Sequence, residues 1–594
     1  MQFQFQLDLS RYFEEQFKVE ALPIGVELCP SEFSGDVTIS CFPFARLLRR
    51  NPMQLAEQVR DFFTGHPDVE KAEAVKAFVN LTLKPGALMR DTIADPEKLQ
   101  TESLLPEAER QRILIEFSAP NTNKPQHLGH VRNNTVGMAT ASILQRAGHQ
   151  VIRINLVNDR GIHICKSMLA YQRFGAGVTP EQAGKKGDHL VGDFYVRFDQ
   201  EFRKQIAELK EANPTFASQD ADELFLETEI GKAAQEMLLK WEQDDPEVRQ
   251  LWQQMNQWVF DGFAETYRRM GVEFDHTYLE SETYTLGKDI IRKGLQDKVF
   301  KLRPDGATMI EFPDKNLGSK VVLRSDGTSV YVTQDIGTTL LKQNEYQPDR
   351  QIWVVGDEQK YHFQVLFAIL KALGYSWADQ LTHMAYGMVN LPSGKMKSRE
   401  GTVVDADELF EEMEGLAREA TLQRSKGEVP ADLELRAQVI SMAALKFMLL
   451  KVNPKTTILF DPQASIKFEG DTGPYVLYAY ARISSMLRKA TEQKASAVKP
   501  NWELLSDDAE KKLALRCALY AEAIQKAARE LDSSTLASYL LDLAKDFSTF
   551  YNRCSVLNAS DPILRQTRLE LSARVRDTIA DGLHTLTIGT LESM

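Results

Sequence analysis

No stretch of this 594-residue chain approaches the ~18 uninterrupted apolar residues that a membrane-spanning helix needs. No membrane partner is therefore expected. Cysteine is scarce: Cys29, Cys41, Cys165, Cys517 and Cys554 lie far apart, with no C-x-x-C pair. That excludes a disulfide framework and a zinc knuckle, so no metal ligand set is expected. Reduced thiols in a cytoplasmic protein are the expected state. The start, MQFQFQLDLSRYFEEQF, alternates polar and apolar residues and carries acids early. It reads as neither a signal nor a transit peptide. There is no internal repeat and no long low-complexity tract. Positive charge is also short: 71 basic against 84 acidic residues gives 71 − 84 = −13. Taken alone, this argues weakly against a polyanionic partner. The deficit is local, however. Residues 201–250 hold 6 basic and 13 acidic residues, a net of −7, whereas 471–594 hold 16 of each. A nucleic-acid surface stays possible outside the acidic stretch.

What remains is ordinary globular composition, with 43% apolar and 26% charged residues. At ~100–200 residues per domain, three or four domains are expected. Residues 1–108 mix strand-like runs (ALPIGVEL, DVTISCF, AFVNLTL) with a helix-like NPMQLAEQVRDFF, a small α+β domain. From 109 to 430 the pattern changes. RILIEFSA is an apolar strand, a polar loop PNTNKPQ follows, then a helical pattern stopped by Gly148, then the strand VIRINLVND. Strand, helix and strand with short joints form a βαβ unit with parallel strands. The pattern recurs in QIWVVGD, KYHFQVLFAILKAL and LTHMAYGMVNL. We read this stretch as a doubly wound, Rossmann-type α/β domain, interrupted by a charged helical insertion at about 180–270. Residues 102–111 and 423–434 read as linkers. From 431 to 594 apolar residues recur at helical spacing, which predicts an all-α bundle.

Two segments carry chemistry. Ser118 to His130 (SAPNTNKPQHLGH) joins the first α/β strand to its helix. Helix N–H groups and the macrodipole face outward at such a joint. His127 and His130 are one helical turn apart, so both can face one ligand, and imidazole N–H donors suit a triphosphate. Gly129 would let an adenine ring approach the backbone. Read alone, the two histidines could equally be helix caps. The second segment is Gly394 to Gly401 (GKMKSREG), three cations in five residues between glycines. Alone it is more often a solvated basic turn. A P-loop is disfavoured, because GAGVTPEQAGKKGD has Lys186 where Ser or Thr is needed.

Together these segments resemble the HIGH and KMSKS signatures of class I aminoacyl-tRNA synthetases, here HLGH (127–130) and KMKSR (395–399). More narrowly, the chain is similar to the arginyl-tRNA synthetases. The matching residues are EFSAPNTNKPQHLGHVRNN (116–134), NDRGIH (158–163), SDGTSVYVTQDIG (325–337), VVGDEQKYHFQ (354–364), GMVNLPSGKMKSREGTVV (387–404), DTGPYVLYAYARI (471–483) and FYNRC (550–554). The resemblance is thinnest at 175–270 and at the N-terminus.

The resemblance implies a tRNA-contacting N-terminal domain, a catalytic core and an anticodon-binding bundle. It implies ATP with Mg²⁺, arginine and tRNA(Arg) as partners, and a monomer is expected. His127, His130, Lys124 and Lys395 would be catalytic. Pro120, Gly129, Gly356, Met396, Lys397, Ser398 and Arg399 would join the histidines and Lys395 around ATP. The family's second signature lysine is absent here, since Ser398 stands in its place. Lys124, just before the histidines, would substitute, with Lys397 or Arg399 undecided. Glu116, Asn121, Tyr331, Asp335 and Gln359 would line the arginine pocket. Tyr331 and Asp335 are four apart, so one helical turn would face them together. Asp335 would be the main anion for the guanidinium, whose rigid fork of donors matches a carboxylate. Tyr475, Tyr478, Arg482, Tyr551, Asn552 and Met594 would touch tRNA. Tyr475, Tyr478, Tyr480 and Tyr551 could stack on splayed bases, and at least half of these four are expected in the bundle core instead. Another HxGH nucleotidyl-transfer enzyme and a non-catalytic tRNA-binding paralogue are the competing readings.

Overall fold

The computed structural model describes residues 4–19, 22, 24–30, 32–84, 99, 103–312, 317–392, 404–425, 428–493 and 498–594. Its centre is a five-stranded parallel sheet. The strands are β1 (Arg112–Glu116), β2 (Gln150–Val157), β3 (His276–Leu279), β4 (Arg350–Gly356) and β5 (Leu381–Tyr386), in the spatial order β3-β2-β1-β4-β5. The chain therefore winds outward from β1 to β3, returns to the centre, and winds the other way. Such an order opens a crevice beyond the carboxyl ends of β1 and β4. Ile113, Leu114 and Ile115 of β1 are fully buried, at about 1.5–3 kcal/mol for each large apolar side chain removed from water.

Helix α1 (Leu128–Arg146) crosses behind this crevice. It ends where Gly148 takes φ +100°, a conformation that side chains resist. Its approach to the sheet is close. A Cβ on Gly137 would fall 2.3 Å from Cγ of Phe117, the residue after β1. The other end of α1 reaches beyond the catalytic core. Arg146 pairs with Asp581 in the C-terminal bundle at 3.0 Å and donates to the Leu99 carbonyl.

Between β2 and β3 stand α2 (Ile162–Phe174), α3 (Gly187–Ala212), α4 (Glu229–Glu242) and α5 (Pro246–Met270). They have their own core around Phe198, Trp241 and Phe263. This is the charged helical insertion. A second insertion had no clear sequence signal: a three-stranded antiparallel sheet of Lys301–Leu302, Thr308–Glu311 and Ser319–Leu323. It packs near α6 (Tyr331–Tyr346), which is followed after β4 by α7 (Lys360–Ala372). Helix α8 (Ala406–Arg424) then leads to the bundle of α9 (Leu433–Leu450), α10 (Gly473–Glu492), α11 (Asp508–Ala518), α12 (Tyr520–Glu530), α13 (Ser533–Arg553) and α14 (Pro562–Thr585).

At the N-terminus, strands Glu27–Leu28, Val37–Ser40, Val69–Val75 and Phe78–Leu83 form an antiparallel sheet. Three helices accompany it: Gln4–Phe17, Phe42–Leu48 and Pro52–Phe63. The first of these falls where the sequence alternates. Phe5, Leu9 and Phe13 recur every fourth residue and are buried, so the helical period prevails over the shorter alternation.

Candidate active site

A cavity of about 580 Å³ opens at the crevice. Glu116, Phe117 and Ser118 enter it from the end of β1, Val354 to Gly356 from β4, and Tyr386 and Met388 to Leu391 from β5 onward. His127, Gly129 and His130 close one side. The polypeptide leaving β1 is strained: Ser118 and Ala119 take φ +78° and +48°, a conformation costing of order 1–3 kcal/mol each. Buried amides hold it. Asn133 accepts the Ser118 N–H at 2.6 Å, and Asn155 accepts the Ala119 N–H at 3.1 Å. Asn133 also donates to the Val354 carbonyl at 2.8 Å and to the Tyr386 hydroxyl at 3.3 Å. One amide thus ties the ends of three strands and α1 together. The sequence reading missed it, although a polar residue on the buried face of a helix was its signal.

The two histidines cap α1. His127 is the N-cap, and its Nδ1 accepts the Gly129 N–H at 3.1 Å. The Nδ1 of His130 accepts the His127 N–H at 3.2 Å. Each Nδ1 being an acceptor, each ring proton resides on Nε2. Burial, then Lys124, lowers His127 to about 4. Burial, then His127 and Lys124, holds His130 well below the usual histidine range. Both rings are therefore neutral Nε2–H donors at the positive end of a helix. Capping and ligand recognition are not alternatives here, since the cap fixes the tautomer that leaves a donor free. Gly129 has a local reason as well. A Cβ there would fall 2.9 Å from Cε1 of His127, so the glycine makes room for the capping ring.

The remaining expected ATP residues divide. Gly356 lines the cavity, and a Cβ on it would collide with the Glu358 carboxylate at 2.5 Å. Pro120 is buried and does not line it; its carbonyl accepts the Asn158 N–H. Lys124 lines an adjoining cavity instead, with Lys186, His189 and Tyr195. Lys395, Met396, Lys397, Ser398 and Arg399 lie outside the described residues. The segments on either side are fastened. Leu128 donates to the Val404 carbonyl, Ala406 donates to Gln126, and Asp407 receives Lys186, His189 and Arg269. Lysine and arginine already neutralise Asp407 and its neighbour Asp188, so this cluster does not have the donor set of a cation site.

Of the five residues expected around arginine, only Glu116 lines the 580 Å³ cavity. Its carboxylate takes a 2.5 Å contact from the fully buried Lys342 of α6. Tyr331 and Asp335 share the first turn of α6, as their spacing requires, but Tyr331 is 77% exposed. Asp335 pairs with Nε2 of His362 at 2.6 Å. Gln359 is exposed at the end of β4, and Asn121 is exposed and bridges to Asn158. A residue absent from the sequence reading joins Asp335. Glu280 directly follows β3, and burial, with Asp159 and Asp335 adding like charge against the opposing pull of Arg160, raises its carboxyl to about 7. An acid at the carboxyl end of a parallel strand was its signal.

In the bundle, two small cavities share a wall made of Tyr478 and Arg482. One also has Tyr475, Arg424 and Phe468, and the other has Tyr551 and Met594. Guanidiniums alternate with rings: Arg424 lies 4.8 Å from the Tyr478 ring centre, and Arg482 lies 4.5 Å from that of Tyr551. Asn552 is exposed and lines neither cavity, while Tyr480 packs on the core.

Comparison with known proteins places three family models along the chain. The class I (R) tRNA synthetase catalytic domain matches residues 96–461. The DALR anticodon binding domain matches 476–594, and the arginyl tRNA synthetase N-terminal domain matches 4–83. The chain is 42% identical over 583 residues to the arginine–tRNA ligase of Parabacteroides distasonis, covering 97% of this chain and 96% of that one. It is 43% identical over 572 residues to that of Bacteroides thetaiotaomicron, covering 95% and 94%. Among solved structures, Thermus thermophilus arginyl-tRNA synthetase superposes with a TM-score of 0.80 at 26% identity, covering 99% of this chain and 100% of that one.

Proposed function

The chain belongs to the arginyl-tRNA synthetase family, and from that premise we propose that it ligates arginine to tRNA(Arg) by way of arginyl-adenylate. Its division would be a tRNA-contacting domain at 1–108, a catalytic domain at 109–430 and an anticodon-binding bundle at 431–594. The substrates are MgATP, arginine and tRNA, in a cytoplasmic monomer. No helix among the described residues is long and apolar enough to cross a membrane.

In the first step a carboxylate oxygen of arginine attacks the α-phosphorus of ATP in line, and pyrophosphate leaves. In the second, a terminal ribose hydroxyl of the tRNA attacks the arginyl carbonyl, and AMP leaves. No covalent enzyme intermediate is required. The chain's part is positioning and charge stabilisation. His127 and His130 donate their Nε2–H groups to phosphate oxygens as negative charge develops, with Lys395 and Lys124 as the cations. Asp335 and Glu280 together receive the guanidinium. Lys342, which holds Glu116, is seven residues along α6 from Asp335, about 10 Å along the axis. That spacing is of the order of an extended arginine, with its ammonium toward Glu116 and its guanidinium toward Asp335. Tyr478, Arg482 and Tyr551 offer planes on which unstacked anticodon bases rest.

The observation that carries this reading is the pair of neutral, Nδ1-accepting histidines capping α1 at the mouth of the crevice. Pyrophosphate exchange into ATP, run with each amino acid in the presence of total tRNA, tests it. Exchange with arginine alone is expected, and exchange with another amino acid instead would overturn it.

A further inference from the structure

Arg132 lies two residues beyond His130 on α1 and is fully buried. It lines the 580 Å³ cavity. Its Nη2 donates to the carbonyls of Pro454 and Thr456, at 2.9 and 2.8 Å. Its Nε and Nη1 are buried and have no partner among the described residues. No carboxylate among those residues pairs with it. Burial lowers its pKa to about 10, so the group stays charged at neutral pH. A buried cation without an anion is costly, and proteins normally pair one or remove it.

The rest of the lining sharpens the point. The histidines are neutral, Lys124 lines the neighbouring cavity, and Glu116 already has Lys342. Among the described lining residues, Arg132 is the one fixed positive charge. Its carbonyl partners are also placed to matter. The Pro454 carbonyl accepts the Gly387 N–H as well, at 2.9 Å. Val389–Asn390 pairs in parallel with Ile458–Leu459. The guanidinium thus fixes the 454–459 segment, which in turn backs the cavity wall at 387–391.

We propose that Arg132 is a positioning residue for ATP: it fixes the 387–391 wall against α1 and provides the standing positive charge that the triphosphate completes. The proposal rests on the ATP-site reading above and adds to it a residue with no assigned role. At an effective dielectric of ~20, a unit charge ~8 Å from a phosphate favours binding by about thirtyfold. The anion that Arg132 lacks among the described residues is then the substrate itself.

The test is the Kd for MgATP, measured by calorimetry on the full-length wild type, Arg132→Lys and Arg132→Met, with melting temperatures alongside. Binding of ATP is read without arginine, so failure of the arginine assignment and failure of this proposal are separable. Arg132→Met should weaken MgATP by roughly ten- to a hundredfold, with adenosine affinity changed less than threefold. Arg132→Lys should recover most of the MgATP affinity, because it keeps the charge and loses the fork. If the Met variant does not fold, Arg132→Gln, which keeps hydrogen-bond donors and loses the charge, carries the test through the MgATP-to-adenosine ratio. Equal losses for MgATP and adenosine that track a lowered melting temperature would reduce Arg132 to packing. Wild-type MgATP affinity in the Met or the Gln variant would overturn the proposal outright.

Discussion

On the proposed pocket, Glu280 makes arginine recognition depend on pH in a definite direction. Burial and the neighbouring Asp159 and Asp335 charges raise its carboxyl to about 7. A guanidinium arriving between Glu280 and Asp335 favours the ionised form, so binding releases a proton from whatever fraction is protonated. Below the folded pKa that fraction approaches one, and arginine affinity falls about tenfold per pH unit; above it, affinity levels off. Between pH 8 and pH 6 the ionised fraction drops from about nine-tenths to about one-tenth. The KM for arginine should therefore rise roughly tenfold on acidification over that window, with the KM for ATP moving less. Titration calorimetry in two buffers of different ionisation enthalpy should show proton release near pH 6 and almost none at pH 8.5. Glu280→Gln should flatten the arginine profile at its weak, low-pH level. A flat wild-type profile, or tighter arginine binding at pH 6, would refute the reasoning and take Glu280 out of the pocket.

Other outcomes follow from the same geometry. His130→Ala should lower adenylate formation by about 10²–10³-fold, the size of losing one transition-state donor, while tRNA affinity measured by filter binding stays the same. Asp335→Asn should raise the KM for arginine by roughly ten- to several-hundred-fold, since a charge-assisted bond is worth ~1.5–3 kcal/mol and an unpaired guanidinium costs more; a change in the KM for ATP instead would move Asp335 to the nucleotide side. Gly137→Ala should cost about 1–3 kcal/mol in denaturant unfolding, because its methyl collides with a ring fixed behind β1; an unchanged midpoint would mean that α1 and Phe117 are not tightly packed.

Much of this was legible in the sequence for physical reasons. The parallel core announced itself because strands buried on both faces read as continuous apolar runs, as RILIE and QIWVVG do. HLGH was legible because helix starts need side-chain acceptors, and the histidines meet that need. Illegible elements were those whose stability comes from contacts distant in sequence. Strand Val69–Val75 reads VEKAEAV, largely charged or small, and is an edge strand held by its neighbour Phe78–Leu83. The sheet of residues 301–323 is likewise short and half-exposed. Lys124, expected beside the triphosphate from its place just before His127, lines the adjoining cavity, with its charge still felt by both histidines; Pro125 and the 404–406 bridge fix the loop's course. Glu280 and Asn133 escaped notice because their partners, Asp335 and Ser118, come from other elements. A spacing rule sees only one element at a time.

The central claim is the identity of the amino acid placed on tRNA. Total tRNA should be incubated with the full-length protein, MgATP and each labelled amino acid in turn, and the acid-precipitable label counted. The account predicts that arginine alone is charged, onto a single family of isoacceptors, and that uncharged but isosteric citrulline neither substitutes nor competes. Charging with another amino acid, or competition by citrulline equal to that of arginine itself, would contradict it.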